Sequence, residues 1–239
     1  MSYRILNADH IEATIARLLA RMEERFPDRG LTRLCGELLT IAREDSERLS
    51  WQARPNILLR SGVALALVLA VGATGALVWW LSRRLSLSTE AFSVVQGVDA
   101  AINVIVLASA AIWFMLNLEA RLRRRAVLED LHELRSIAHV VDMHQLTKDP
   151  TTLLADYRET PSSHPHGMTE FELTRYLDYC SEMLACTGKL AALYMQNAQD
   201  PVIIQTVNEI EDLTGNLSRK IWQKIMILRQ GDATPSTPP

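Results

Sequence analysis

Two long apolar runs constrain this chain more than any other feature of its sequence. Residues 61–82 form an uncharged run of 22 residues, and residues 100–118 form a second one of 19. At about 1.5 Å of rise per helical residue, the first run reaches roughly 33 Å, enough for a bilayer hydrocarbon core of about 30 Å. Two such runs, 17 residues apart, are hard to bury inside a chain of 239 residues. They therefore predict two transmembrane helices rather than buried core helices.

The remaining composition predicts an all-α integral membrane protein. Glycine and proline are scarce, with 10 and 9 residues, while leucine, alanine, arginine and glutamate dominate. The net charge of −3 gives no overall basic field, so nucleic acid is not an expected partner. Cys35, Cys180 and Cys186 lack metal-site spacing and suit a reducing compartment.

The distribution of arginine predicts how the chain is oriented. Only Arg83 and Arg84 lie in the connection between the two runs, whereas eight arginines flank their other ends. These eight are Arg43, Arg48, Arg54, Arg60, Arg121, Arg123, Arg124 and Arg125. Because positive charge accumulates on the cytoplasmic side, we expect a multi-pass protein of the inner (plasma) membrane with both termini in the cytoplasm. A signal peptide is not expected, since residues 1–30 are charged throughout.

Helical periodicity and breakers predict eight segments along the chain. The second apolar run has no stop signal at its inner end, so its helix is expected to continue to about Leu146. Thr169 and Glu172 predict a capping box, and Asp200 followed by Pro201 predicts another helix start. The segments are a cytoplasmic helical hairpin (1–54), transmembrane helix 1 (55–82), a short external connection (83–97), transmembrane helix 2 (98–118), its cytoplasmic extension (119–149), a loop (150–168), a second cytoplasmic helical hairpin (169–230) and a disordered tail (231–239).

Transmembrane helix 2 carries polar residues on one side. At 100° per residue, six side chains fall within about 40° of one line. They are Asp99, Asn103, Val106, Ala110, Trp113 and Asn117, and Arg121 and Arg124 extend the line. The opposite side is wholly apolar: Ala101, Ile105, Ala108, Ile112 and Met115. Because polar groups are costly in lipid, such a line predicts a face that meets other polar groups or water.

Three interpretations of this polar stripe remain open. In the first, several copies of the helix surround an axis, with Asp99 as an outer acidic ring, Asn103 as an amide ring and Trp113 as a constriction. In the second, the same residues form hydrogen bonds between subunits and nothing is conducted. In the third, Asp99 and Asn117 lie at the two membrane interfaces and only Asn103 is inside.

Transmembrane helix 1 and the arginine run have simpler predicted roles. Small residues in helix 1 allow another helix backbone to approach closely, and we expect packing at Gly62, Ala66, Ala70, Gly72 and Gly75. The run Arg121, Arg123, Arg124 and Arg125 is expected to fix topology and to meet anionic lipid headgroups at the inner mouth.

A histidine-rich stretch near the end of the long helix is the remaining candidate site. His132, His139, Asp142 and His144 are candidate metal ligands, but His139, Asp142 and His144 reach one ion only if the helix unwinds near residue 142. A hydrated polar face and a pH-sensing face are the alternatives. No other cofactor is expected.

The sequence therefore favours a small homo-oligomeric ion channel with transmembrane helix 2 lining the axis. The alternative is a non-conducting, membrane-anchored scaffold or sensor that binds a cytoplasmic protein. An enzyme is not expected, because phosphate-binding loops, nucleophile elbows and zinc-protease motifs are missing from the sequence. A metal-dependent enzyme built on the histidines is the third hypothesis.

Overall fold

The described part of the chain contains helices and no strands. A computed structural model describes residues 5–52, 57–84, 90–153, 161, 167–196 and 198–232. The helices are α1 (Ala8–Arg25), α2 (Gly30–Gln52), α3 (Ile57–Arg84), α4 (Glu90–Leu146), α5 (Glu170–Met195) and α6 (Pro201–Asp232), with a short 3-10 helix at Pro150–Leu153. The predicted all-helical fold is confirmed for these residues.

The chain divides into two compact units. The first, which we call the bundle unit, comprises residues 1–51 and 126–239. The second, which we call the apolar unit, comprises residues 52–125. Helix α4 contributes to both, because its residues up to 125 belong to the apolar unit and the later ones to the bundle unit.

Side chains next to the helix starts explain where the helices begin. Asn7 caps α1 by accepting a hydrogen bond of 2.7 Å from the backbone N–H of Asp9. The capping box predicted at α5 is confirmed, since the Thr169 hydroxyl accepts from the Glu172 N–H and the Glu172 carboxylate accepts from the Thr169 N–H. The predicted start of α6 is also confirmed: Asp200 accepts from the Val202 N–H at 2.9 Å.

Several helix limits differ from those expected. Helix α4 starts at Glu90, so residues 90–97 are helical rather than part of the connection, whose residues 85–89 lie outside the described ones. Helix α6 continues to Asp232, two residues into the expected tail, and residues 233–239 lie outside the description. The expected loop 150–168 includes the 3-10 helix.

Helix α5 lies at the centre of the bundle unit. Its buried residues cover more than half of the helix circumference rather than one narrow stripe, and they include Tyr176, Leu177, Tyr179, Met183, Leu184, Leu190 and Tyr194. Four other helices, α1, α2, α4 and α6, each contribute one buried stripe to the same core. In sequence order, the first buried residue of this core is Ile11 and the last is Leu228. Phe171 is an exception to the expected apolar stripe of α5, since it is exposed and its ring faces the guanidinium of Arg25 at 5.2 Å.

Aromatic and charged contacts fix α1 against α5. The ring of Phe26 meets Tyr176 and Tyr179 edge to face, with centroids 5.7 and 6.1 Å apart. Arg21 forms a two-pronged ion pair with Glu182. The turn after α1 uses Asp28 in the left-handed conformation at φ 61°, which aspartate tolerates better than most residues.

The apolar unit presents its side chains outward. By length and composition, one helical stretch among the described residues could cross a membrane: residues 102–146 of α4, whose most apolar part has none of its residues buried. Apolar side chains of α3 are also exposed, including Leu65, Val68 and Leu69 at 61–68%. This unit therefore has no apolar core of the kind seen in the bundle unit among its described side chains.

A close contact between α5 and α6 at Gly188 gives a test of this packing. A Cβ atom placed at Gly188 would lie 2.9 Å from the Thr214 hydroxyl oxygen, and both residues are buried. Gly188→Ala should therefore destabilise the protein by about 1–3 kcal/mol, because overpacking outweighs the helix-propensity gain of about 1 kcal/mol. Thermal unfolding of the full chain measures the change.

Two further variants serve as controls for this prediction. Gly215→Ala lies on α6, where an added Cβ meets no described atom within 4 Å, and it should be neutral or stabilising. Thr214→Ala should restore stability in the Gly188→Ala background by removing the hydroxyl. A Gly188→Ala protein as stable as the wild type would contradict the close packing.

Candidate functional site

The polar stripe of α4 lies on exposed helix. All six of its residues are exposed, with Val106 at 59% and Trp113 at 69%. The Asn117 amide donates to the Trp113 carbonyl at 2.7 Å, so this hydrogen bond stays within the helix. Arranged in this way, Asp99, Asn103 and Asn117 offer polar groups to whatever surrounds α4.

The apolar side of α4 is exposed as well. Ile105 and Ile112 have 64% and 44% of their surface accessible, and Ala108 and Met115 are half-buried. The side chain of Ala101 lies outside the described residues. Water is not a favourable environment for the apolar side, because fully burying one such aliphatic side chain is worth about 1.5–3 kcal/mol. Lipid or another protein chain would be a more favourable environment than water for these apolar side chains.

The small residues of α3 leave open surface. A Cβ atom placed at Gly62, Gly72 or Gly75 would meet no described atom within 4 Å. The Ala66 side chain lies outside the described residues, and Ala70 is exposed. The glycines are thus available for close approach by another helix, and within the described part of the apolar unit nothing fills that space.

The arginine run follows the apolar stretch of α4 directly. Arg121, Arg123 and Arg125 are exposed, and Arg124 is half-buried. Their charges lie around Leu122, the last member of the series of exposed large apolar side chains that begins at Ile102. This sequence of apolar surface followed by clustered positive charge is the arrangement that anionic headgroups match.

The candidate metal ligands are spread along α4 rather than gathered. Helix α4 continues without interruption through residue 142, so the local unwinding that a shared ion requires does not occur. His132 and His139 are exposed, and His144 lies about 18 Å along the helix axis from His132. Asp142 accepts a hydrogen bond of 2.6 Å from the Gln145 amide. No group of three His, Cys, Asp or Glu side chains among the described residues is placed to hold a metal ion.

His144 packs against the start of α2. A Cβ atom placed at Gly30 would lie 2.6 Å from the His144 ring, so glycine is what allows the ring so close. Burial lowers the pKa of His144, and the positive charges of Lys148 and Arg33 lower that pKa further. The Lys224 ammonium donates to the carbonyls of Gln145 and Lys148 at 2.8 and 3.1 Å and so satisfies the end of α4.

A buried acidic cluster was missed by the sequence reasoning. Asp45 of α2, Asp130 of α4 and Tyr194 of α5 have only 1%, 7% and 4% of their surface exposed. Burial and the charges of Asp45 and Asp130 raise the pKa of the Tyr194 hydroxyl above its ordinary range. The sequence contains a sign of this cluster, because Asp45 follows Ile41 and Ala42 at the spacing of the buried stripe of α2.

Comparison of the chain with protein-family models, with curated proteins and with solved structures gives no match.

The contact of His144 with Gly30 predicts a pH dependence of stability. Because the pKa of His144 is lowered in the folded protein, unfolding takes up a proton once the pH falls below the ordinary value of about 6.5. The free energy of unfolding should therefore decrease as the pH falls from that value through the folded-state pKa. His144→Gln should flatten this part of the profile, measured by thermal unfolding between about pH 5 and 7.5.

A second histidine on the same helix provides the control. His139 is exposed, so His139→Gln should leave the pH profile close to that of the wild type. Parallel profiles for the wild type and His144→Gln would show that His144 does not contribute.

Proposed function

We propose that the chain is a homo-oligomeric membrane protein in which α3 and α4 each cross the bilayer once, with both termini in the cytoplasm. In this proposal copies of α4 surround a common axis, their polar stripes face it, and the assembly conducts ions. The observation that carries the proposal is the exposed apolar stretch of α4 with a polar line along one side. Lipid would solvate the apolar side, and the polar line would face the neighbouring copies.

Energetic reasoning supports membrane insertion of both helices. Helices satisfy their own backbone groups, which is the condition for spanning a bilayer. Helix α3 has 28 residues, which corresponds to about 42 Å and exceeds a hydrocarbon core of about 30 Å. Exposed Trp79 and Trp80 near its end would suit the interface, where amphipathic rings are favoured.

Two exposed features of the apolar unit favour self-association. The glycines of α3 present smooth surface, and Asp99, Asn103 and Asn117 present hydrogen-bonding groups. In lipid, both features favour contact with another helix over contact with acyl chains. A second copy of the same chain supplies complementary surfaces without any further partner.

A scaffold or sensor function is the second candidate, and a specific observation favours it. The bundle unit has a core of its own and yet exposes large apolar side chains, notably Phe171 at 61%, Trp222 at 52% and Met226 at 47%. Exposed aromatic side chains on an otherwise packed bundle are typical of surfaces that bind a partner. In this alternative the membrane helices anchor the bundle, and no ion is conducted.

Disulfide cross-linking tests the orientation of α4. Single cysteines at Asn103, Ala110 or Asn117 should cross-link between copies in membranes far more than cysteines at Ile105 or Ile112. The native thiols allow this test without their removal, because Cys35, Cys180 and Cys186 are buried. Burial raises the pKa of Cys35 and of Cys180 to about 12 and raises that of Cys186, so few reactive thiolates form.

The unmodified chain, carrying only its three native cysteines, is the control and should remain uncross-linked. Equal cross-linking from both sides of α4 would contradict an axis-facing stripe. A purified protein that is monomeric in detergent and in lipid would contradict the oligomer itself.

Ion flux into liposomes tests conduction separately. The reconstituted protein should pass ions, and Asp99→Asn should change its cation-to-anion selectivity because it removes the charge of the proposed outer ring. Trp113→Ala should increase the flux by widening the proposed constriction. Ile112→Ala is the control, since Ile112 is also an exposed large side chain but lies about 140° from the centre line of the stripe.

Two outcomes separate the candidates. An oligomer with stripe-specific cross-links but no flux would favour the scaffold. Flux that neither Asp99→Asn nor Trp113→Ala alters would remove α4 from the conduction path.

A further inference from the structure

A groove in the bundle unit lies between α1 and α5. The N-cap Asn7 and three residues of α1 line one side, and four residues of α5 line the other. The residues of α1 are His10, Ile11 and Thr14, and those of α5 are Glu182, Ala185, Cys186 and Lys189. Ile5 and Leu6 complete it at the start of α1. Its volume is about 650 Å³, within the range of about 300–1,000 Å³ that small-molecule sites occupy.

The floor and one end of the groove are apolar and held in place. Ile11 and Cys186 are buried at 5% and 6% exposure and form the floor. Ile5 and Leu6 are exposed at 66% and 37%, although they belong to no helix. The Gln196 amide donates to the Leu6 carbonyl at 3.1 Å and so holds this segment against the end of α5. An apolar tail placed here would cover side chains that water now contacts.

Positive charge at the rim of the groove is not matched by free negative charge in its lining. Glu182 is the acidic residue of the lining, and the Arg21 guanidinium holds its carboxylate in a two-pronged ion pair. Lys189 and His10 are exposed at the rim on opposite helices. The Lys189 ammonium lies near enough to the Cys186 thiol to oppose the rise of its pKa that burial causes. With Glu182 compensated, the rim presents net positive charge beside an apolar floor.

We propose that this groove binds a single-chain anionic amphiphile, a fatty acid carboxylate, with its tail over Ile11 and Cys186 and its headgroup at Lys189 and His10. The charge distribution favours an anion over a cationic or a neutral ligand. The ammonium and imidazole groups at the rim can donate hydrogen bonds to a carboxylate, whereas the apolar floor suits the acyl tail. The volume and the two-turn length of the groove suit a short acyl chain. This site is independent of the proposed channel or scaffold function.

Binding of radiolabelled octanoate tests the proposal. The full chain is held in nanodiscs of zwitterionic lipid, and equilibrium dialysis measures the octanoate bound beyond that of empty discs. Saturable binding at one site per chain is expected at pH 7. Unlabelled octanoate should displace the label, octanol should displace it more weakly, and octylammonium should not displace it.

Variants at the rim assign the site. Lys189→Gln should weaken octanoate binding at least fivefold, and Ala185→Trp should abolish it by filling the groove. Lys220→Gln, at an exposed lysine of α6, is the matched control and should bind as the wild type does. Thermal unfolding of each variant establishes that it is folded before binding is compared.

The proposal is overturned if binding beyond the empty discs is not saturable. It is also overturned if folded Lys189→Gln binds octanoate as tightly as Lys220→Gln, or if octylammonium competes as well as octanoate. Saturable binding that is lost in Lys189→Gln and Ala185→Trp but kept in Lys220→Gln supports it. None of these results depends on whether the protein conducts ions.

Discussion

A helix satisfies its backbone hydrogen bonds within itself, and α4 depends on this property over 57 residues. Its side chains can therefore meet different surroundings without any break in the backbone. Up to Leu122 its large apolar side chains are exposed, whereas from Val127 to Val141 one stripe is buried against other helices. The arginines at 121–125 lie between the exposed part of α4 and the part with a buried stripe. One uninterrupted helix with changing composition thus carries the exposed apolar stretch, the charged boundary and the stripe buried in the bundle unit.

Much of the fold could be predicted because periodicity records which side of a helix is buried. Apolar residues recur at helical spacing along α1, α2 and α6, at positions such as Ile15, Leu38 and Ile221, and these residues are buried. Helix starts were predictable where a side chain caps the backbone, as at Thr169 and Asp200. These signals are local, so a single sequence contains them in full.

Other features depend on contacts between distant segments, and local pattern does not specify those. Helix α5 is central because its buried side chains cover more than half of its circumference, and periodicity does not indicate which helices these side chains meet. The cluster of Asp45, Asp130 and Tyr194 forms only when three helices meet. The groove between α1 and α5 likewise required the pairing of two helices more than 140 residues apart in the sequence. The candidate polar stripe could be predicted because it lies on one helix.

Association of α4 with other copies has fewer structural requirements than conduction of ions does. An exposed Asn103 in a lipid environment gains from any polar neighbour, and hydrogen bonds between membrane helices contribute about 0.6–2 kcal/mol each. That gain requires only contact. Conduction requires in addition that the copies leave a hydrated path and that its ends do not repel the ion. An acidic ring at Asp99 would attract cations, whereas the arginines at 121–125 would repel them, so a conducting assembly would have to compensate one of these charges. The sign of the permeant ion therefore reports which of the two charged rings controls the path.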